Sequence, residues 1–405
     1  MSVGVDTAAP VQDRLRRLTE PRSIAILGIV LGALAFWLAL PPWTVRTAGI
    51  PIAVGICGAA AGLWALMREQ RKLGIWAIAV SGVGIAAALW AQGREDASLE
   101  AVVSTGLVAA TLRFATPLAF AAVGGIFSER SGVVNIGLEG MMLAGAFFGI
   151  YVAAETGSWV AGIVGAMVAG GLLALIHAVF TITLRADQIV SGFAINFLAL
   201  GLTGYLFRSI YGAEGTPADI PRIPALTLPG FIRDIPFVGP VFGNLSVMTW
   251  LLFALIVASW LLLFKTPIGL RIRSVGEHPR AADTVGISVF KVRYAAVIVS
   301  GLLAALGGAY LSFGFGGSFN EKMTSGLGYI ALAAVIFGKW HPFGAFGACL
   351  LFGFASGLAQ RLQGEADISA NLLSTLPYVL VLVALVGVIG RSRPPAAVGR
   401  PYVKQ

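Results

Sequence analysis

Residues 128–142 read SERSGVVNIGLEGMM and set Glu129, Arg130, Asn135 and Glu139 between two long apolar runs. Such groups bind a polar solute, pair across helices or satisfy a helix end, because an unpaired charge at a bilayer centre costs about 2.5–3.5 kcal/mol even on lenient insertion scales. Glu139 falls one turn into its apolar run, where a helix dipole favours a carboxylate. It therefore reads as stabilising a cytoplasmic helix start, with Arg130 as the nearest pairing partner; a gate built from Arg130, Asn135 and Glu139 is the sharper alternative. Catalytic chemistry has little to work with. The chain has 3 His and 2 Cys, and Cys57 and Cys349 lie in separate apolar runs, so neither a disulfide framework nor a metal site is expected.

Arg113 is the second chemical landmark. It sits midway along the apolar run 99–127, with Phe114 and Thr116 beside it and Pro117 four residues on. Proline leaves the carbonyl four residues back without its donor and can kink a helix. A broken helix lining a solute cavity is one reading, and an Arg that ties the bundle together is the other. Asn196, inside SGFAINFLALGLTGYL, divides in the same way between a helix–helix bond and a solute contact. Phe114 and Phe193 could stack a base or simply pack, and His177 reads as a hydrogen-bonded interior histidine.

The elements that must hold these residues are membrane helices. Hydrophobic residues make up 57% of the chain and charged ones 12%, with mean hydropathy +0.86, where a soluble domain carries about 25% charged residues. The net charge of +9 is scattered singly between apolar runs, which argues against a nucleic-acid surface. With about 20 apolar residues per crossing, helices are expected at 23–40, 47–66, 73–92, 99–127, 136–154, 158–184, 188–207, 247–264, 294–313, 326–338, 343–359 and 372–390. The fold class is thus an all-α, polytopic bundle of about 12 spans. With both termini cytoplasmic, 20 of the 28 Lys and Arg fall inside, 7 outside, and Arg113 within a helix, as the positive-inside rule requires. The basic start reads as an uncleaved anchor.

Residues 1–98 form an amino-terminal tail and three accessory helices, 99–390 a core, and 391–405 a cytoplasmic tail. The outer loop 208–246 holds six prolines and is expected to be stiff and non-helical; it is either a docking surface or an external cap. The glycine-rich reach 314–329 either folds back into the membrane or is an ordinary turn. An echo between Leu118–Glu129 and Ile330–Trp340 suggests an internal duplication. In the basic loop 265–293, Pro279 suits a helix start and Gly286 a carboxy-terminal cap, leaving Arg280–Val285 as a short helix. A plain positive-inside loop is the alternative.

These runs together resemble a known family. ATPLAFAAVGGIFSERSGVVNIGLEGMMLAGAF, SVGEHPRAADTVGI and GLGYIALAAVIFGKWHPFGA are similar to the permease subunits of bacterial ABC importers for nucleosides and simple sugars, the branch served by basic-membrane-lipoprotein-type binding proteins. The likeness covers roughly 99–390. It implies a coupling helix docked on a separate ATP-binding cassette ATPase subunit, with Gly276, Glu277, Arg280, Ala281, Ala282, Asp283, Gly286 and Ile287 in that loop. It also implies a second, homologous or identical permease, an extracytoplasmic binding protein and an inner-membrane location. No phosphate-binding loop of the GxxxxGK[ST] type occurs, since Gly338-Lys339 is followed by Trp340. ATP would be used by the partner, with no cofactor bound by this chain. An ion-gradient-driven transporter is the rival from another class, and it lacks the acidic relays that proton coupling would want.

Overall fold

The computed structural model describes residues 21–38, 49–92, 105–365 apart from 213, 218, 236 and 237, residue 375, and 393–404. They fall into two compact units divided between Thr105 and Gly106. The first comprises three helices, α1 (Pro21–Leu38), α2 (Gly49–Met67) and α3 (Arg71–Gln92). Small residues let their backbones approach: a Cβ on Gly28 would stand 2.9 Å from the Gly58 carbonyl oxygen, and one on Gly32 2.6 Å from the Ser81 nitrogen. This is the packing expected where lipid supplies no hydrophobic drive between helices.

The second unit opens with α4 (Thr105–Arg130), followed by α5 (Leu138–Thr156), α6 (Trp159–Ala178) and α7 (Gln188–Tyr211). Helix α6 runs on into a π-helical turn, Val179–Thr183. Every residue from Ala115 to Glu129 is buried, so this part of α4 is central, and it is apolar on every side but for Thr116, Ser128 and Glu129. The broken helix of one reading does not occur at Pro117. The helix continues through that proline for about 39 Å at about 1.5 Å per residue; the irregular backbone follows its end instead.

Beyond α7 the proline-rich loop carries strand β1 (Ala225–Thr227), short helices α8 (Gly230–Arg233) and α9 (Val238–Phe242), and strand β2 (Asn244–Ser246) antiparallel to β1. The non-helical expectation is corrected here: Pro229 precedes α8 and Pro240 lies in a single-turn helix, where the proline removes few donors. Then come α10 (Val247–Lys265), α11 (Pro267–Glu277), α12 (Pro279–Thr284) and α13 (Val289–Ala309), the last extended by a π-helical turn, Tyr310–Gly316. Helices α14 (Leu327–Phe337) and α15 (Pro342–Glu365) follow. Glycines let α13 press on α4 and α5: a Cβ on Gly124 would stand 2.6 Å from the Ser300 carbonyl oxygen, and Gly145 faces the Ala305 backbone directly.

Eight helical segments among the described residues are long and apolar enough to cross a membrane, with Ile24–Phe36 and Leu327–Phe337 as shorter apolar helices. The protein is a polytopic helical membrane protein with a small β ribbon. The expected crossing at 372–390 lies outside the described residues. That at 326–338 is the 11-residue α14, about 16 Å long, half of a bilayer core of about 30 Å.

Candidate functional site

The charged signature does not form a surface loop. After α4 ends at Arg130, residues 131–137 run back into the bundle without helical structure, and side chains from four helices take up their polar groups. Val134 N–H donates to Gln188 Oε1 at 2.7 Å, and its carbonyl faces His177 Nε2 at 3.0 Å. A carbonyl only accepts, so Nε2 carries the proton and Nδ1 accepts from the Ser191 hydroxyl at 2.9 Å. Asn135 Nδ2 donates to Ser300 Oγ at 3.0 Å. Ser300 is the twelfth residue of α13, about 16 Å along it, so the segment reaches well inside. Asn196 Nδ2 donates to the Ile136 carbonyl at 3.1 Å and to the Tyr329 hydroxyl at 2.9 Å, while its Oδ1 accepts from Gly140 N–H at 2.8 Å. Irregular backbone at membrane depth is tolerated only when protein satisfies it in this way.

Two helix amino termini meet at the end of this segment. Glu139 accepts from Gly326 N–H at 2.8 Å and Gly328 N–H at 2.7 Å, so its carboxylate caps α14 where the dipole and free donors favour an anion. Gly328 must lack a side chain, since a Cβ would collide with the Glu139 backbone. The expected Glu139–Arg130 pairing is therefore corrected. Arg130 instead donates to the Trp340 carbonyl at 3.0 Å and lies over the Phe264 ring at 5.4 Å, while Glu129 accepts from Trp340 Nε1. A pairing with Glu139 would have required α5 to start at the Arg130 end. The two echoing segments thus meet at their carboxy-terminal ends.

Arg113 and Phe114 open onto a cavity of about 410 Å³. Tyr310 and Phe315, from the π-helical turn after α13, stand opposite: Phe114 and Phe315 meet edge to face at 5.5 Å, and Tyr310 and Phe315 stack at 6.4 Å. Thr324 and Ser325 from the glycine-rich reach and Gln360 from α15 complete its polar wall, so this part of the reach borders the cavity. Arg113 has no hydrogen bond or ion pair among the described residues. Thr116 is not in the cavity's lining: it donates to the Leu112 carbonyl at 2.7 Å, with Thr249 at 3.3 Å and the Tyr310 hydroxyl beside it, and Asn196 belongs to the interior segment. Tyr310 and Gln360 escaped the sequence reading, and Phe315, Thr324 and Ser325 entered it only as members of the glycine-rich reach, because only long-range packing gathers them; π-helical turns, which often mark functional sites, leave no local sequence signal.

At the Arg130 end, α11 and α12 form an elbow. Thr266 Oγ accepts from Gly269 N–H at 3.2 Å and Pro267 begins α11. Pro279 begins α12, and Gly286 at φ +84° ends it in the left-handed conformation that glycine adopts freely. The short helix matches the expected one to within a residue at each end. Gly276 packs against the Arg130 carbonyl so closely that no Cβ fits. Ala282 is buried with Val275 and Val289, whereas Arg280, Ala281 and Val285 are exposed. Glu277 accepts from Ala396 N–H at 3.1 Å, a contact nothing in the loop's own sequence announces.

Residues 107–386 match the family model described as branched-chain amino acid transport system / permease component. The chain is 48% identical over 309 residues to the guanosine ABC transporter permease protein NupQ of Bacillus subtilis, covering 74% of this chain and 96% of that protein. It is 40% identical to the nucleoside ABC transporter permease protein NupC of Lactococcus lactis, with the same coverage. It is 36% identical to the putative glucose ABC transporter permease protein TsgC13 of Haloferax volcanii, over 71% of this chain and 85% of that one. No solved structure matches the chain. A helical membrane core whose irregular, side-chain-satisfied interior coincides with the matched residues belongs to the branched-chain amino acid transport system / permease component family.

Proposed function

We propose that the chain is the transmembrane permease subunit of a bacterial inner-membrane ABC importer whose cargo is a nucleoside, with a simple sugar as the second reading. The observation that carries the cargo class is the cavity at Arg113: three aromatic rings suit the face of a base, and Arg113, Thr324, Ser325 and Gln360 offer polar groups to a ribose. The relatives named for guanosine, nucleosides and glucose support both readings. A separate cassette ATPase drives α12, a second permease, homologous or identical, completes the path, and an extracytoplasmic binding protein delivers the cargo. Twelve crossings with cytoplasmic termini fit the distribution of Lys and Arg. An ion-driven carrier has no counterpart among these relatives.

Uptake measured against membrane abundance tests the cavity. Arg113→Leu is expected to insert normally and to lower uptake about tenfold or more, since a hydrogen bond to a charged group is worth about 1.5–3 kcal/mol. Arg113→Lys, which keeps the charge but not the planar fork, recovers only part. Competition by unlabelled nucleosides but not glucose assigns the cargo. Full uptake by Arg113→Leu at equal abundance removes the cavity from the path.

A further inference from the structure

Residues 393–404 lie on the α11–α12 elbow through a set of bonds that no function described above requires. Ala397 N–H donates to the Gly276 carbonyl at 2.9 Å, and Gly399 N–H to the Gly132 carbonyl at 3.2 Å. Ala396 N–H reaches Glu277 at 3.1 Å. Arg293, 1% exposed, donates Nε to the Ser131 carbonyl at 3.2 Å and Nη1 to the Arg400 carbonyl at 3.0 Å. Tyr402 is buried beside Val275, Ala282 and Val289, its ring edge-on to Phe290 at 5.6 Å. A segment of proline, glycine and scattered charge has no reason to order itself so fully on a membrane protein's face. Here it bridges the short helix α12 to the first residues of the interior segment.

The bridge leaves a groove. Between α12 and the tail lies a cavity of about 510 Å³, lined by Glu277, Pro279, Arg280, Arg400, Pro401 and Val403 among others. Val403 in that lining is 48% exposed. Arg280 and Arg400 outweigh Glu277 in that lining, and Val403 gives it an apolar anchor. A protein partner presenting an acidic and apolar edge fits such a face.

We propose that the tail and α12 form one docking unit for the ATPase subunit, in which residues 393–404 both contact that subunit and transmit its motion to Gly132. This rests on the reading of α12 as the coupling helix. In the simplest account α12 alone would dock. With the tail in place, a displacement of α12 pulls on Gly276, Gly132 and Arg293 together, and hence on the segment that ends at Glu139.

The test uses the full transporter complex, with Arg280→Glu run beside the tail variants. Val403 is replaced by a photo-crosslinking benzoylphenylalanine and irradiated, and a chain ending at Ser392 is assayed for assembly and ATPase stimulation. The expected result is a crosslink from position 403 to the ATPase subunit and a fall of about tenfold in substrate-stimulated hydrolysis, the scale of an ordinary coupling free energy. Because the truncated chain could fail to accumulate, Val403→Asp supplies an exposed change that leaves folding alone and is expected to weaken ATPase retention. Full stimulation by the truncated chain and by Val403→Asp, with Arg280→Glu defective, overturns the role of the tail and leaves the coupling helix standing. Full stimulation in all three removes the coupling reading as well. A crosslink only to lipid or to the second permease also overturns the proposal.

Discussion

The two units of the chain solve one problem in opposite ways. In the amino-terminal unit three uninterrupted helices satisfy their own backbone and meet through Gly28, Gly32, Gly58 and Ser81, so the interior needs almost no polar side chain. In the unit from Gly106 onward, residues 131–137 abandon helical bonding inside the bundle, and Gln188, His177, Asn196 and Arg293 are recruited to replace what was lost. The first arrangement is a packing problem with many acceptable sequences. The second fixes particular side chains at particular atoms. Polar residues within apolar runs are therefore the mark of irregular backbone as much as of solute contact.

The sharpest way to break this contrast is at Glu139. Glu139→Leu orphans the Gly326 and Gly328 donors, at about 1–3 kcal/mol for each, and is expected to lower both the thermal midpoint of the purified protein and its uptake. Glu139→Gln, which can accept one of the two bonds, should recover part of the stability. A leucine variant that melts with the parent would show that the two helix ends are held by packing alone.

A smaller effect separates packing in the two units. Gly145→Val forces a side chain onto the Ala305 backbone, and Gly32→Val onto that of Ser81; overpacking of this kind typically costs about 1–3 kcal/mol. The Gly145 change is expected to depress uptake per molecule, whereas the Gly32 change should reduce stability of its own unit with uptake per molecule intact. Equal losses of transport would erase the distinction. The smallest expected effect is that of removing residues 2–98. The family match begins at residue 107, and 74% of this chain covers 96% of NupQ, so uptake per inserted molecule should be unchanged; its loss would make the three helices part of the transport machinery.

Legibility in the sequence follows the same divide. Helices α1 to α3 could be read directly, since hydropathy and length determine them. The caps of α12 were readable because Pro279 and Gly286 act locally. The entry of residues 131–137 into the bundle was not, because Ser, Gly, Val and Asn suit a surface turn equally well, and only Gln188, His177 and Ser300, 54, 43 and 165 residues from their partners, decide between the two. Arg113 and Phe114 stood out by charge and neighbourhood, while Thr116 and Asn196 followed the same logic and turned inward to other bonds. In the tail, Tyr402 was the available clue, an aromatic ring in a basic segment that burial explains.

The tail also imposes an order in time. Arg293 and the carbonyl that receives its Nη1 are 107 residues apart, which at about 5–20 residues per second of synthesis separates them by roughly 5–20 s. Throughout that interval a cation destined to be 1% exposed has the Ser131 carbonyl but not its second partner. The Arg130 end of the core is therefore the last part to close, and a ribosome that stalls within the intervening stretch leaves that end without the carbonyl that completes it.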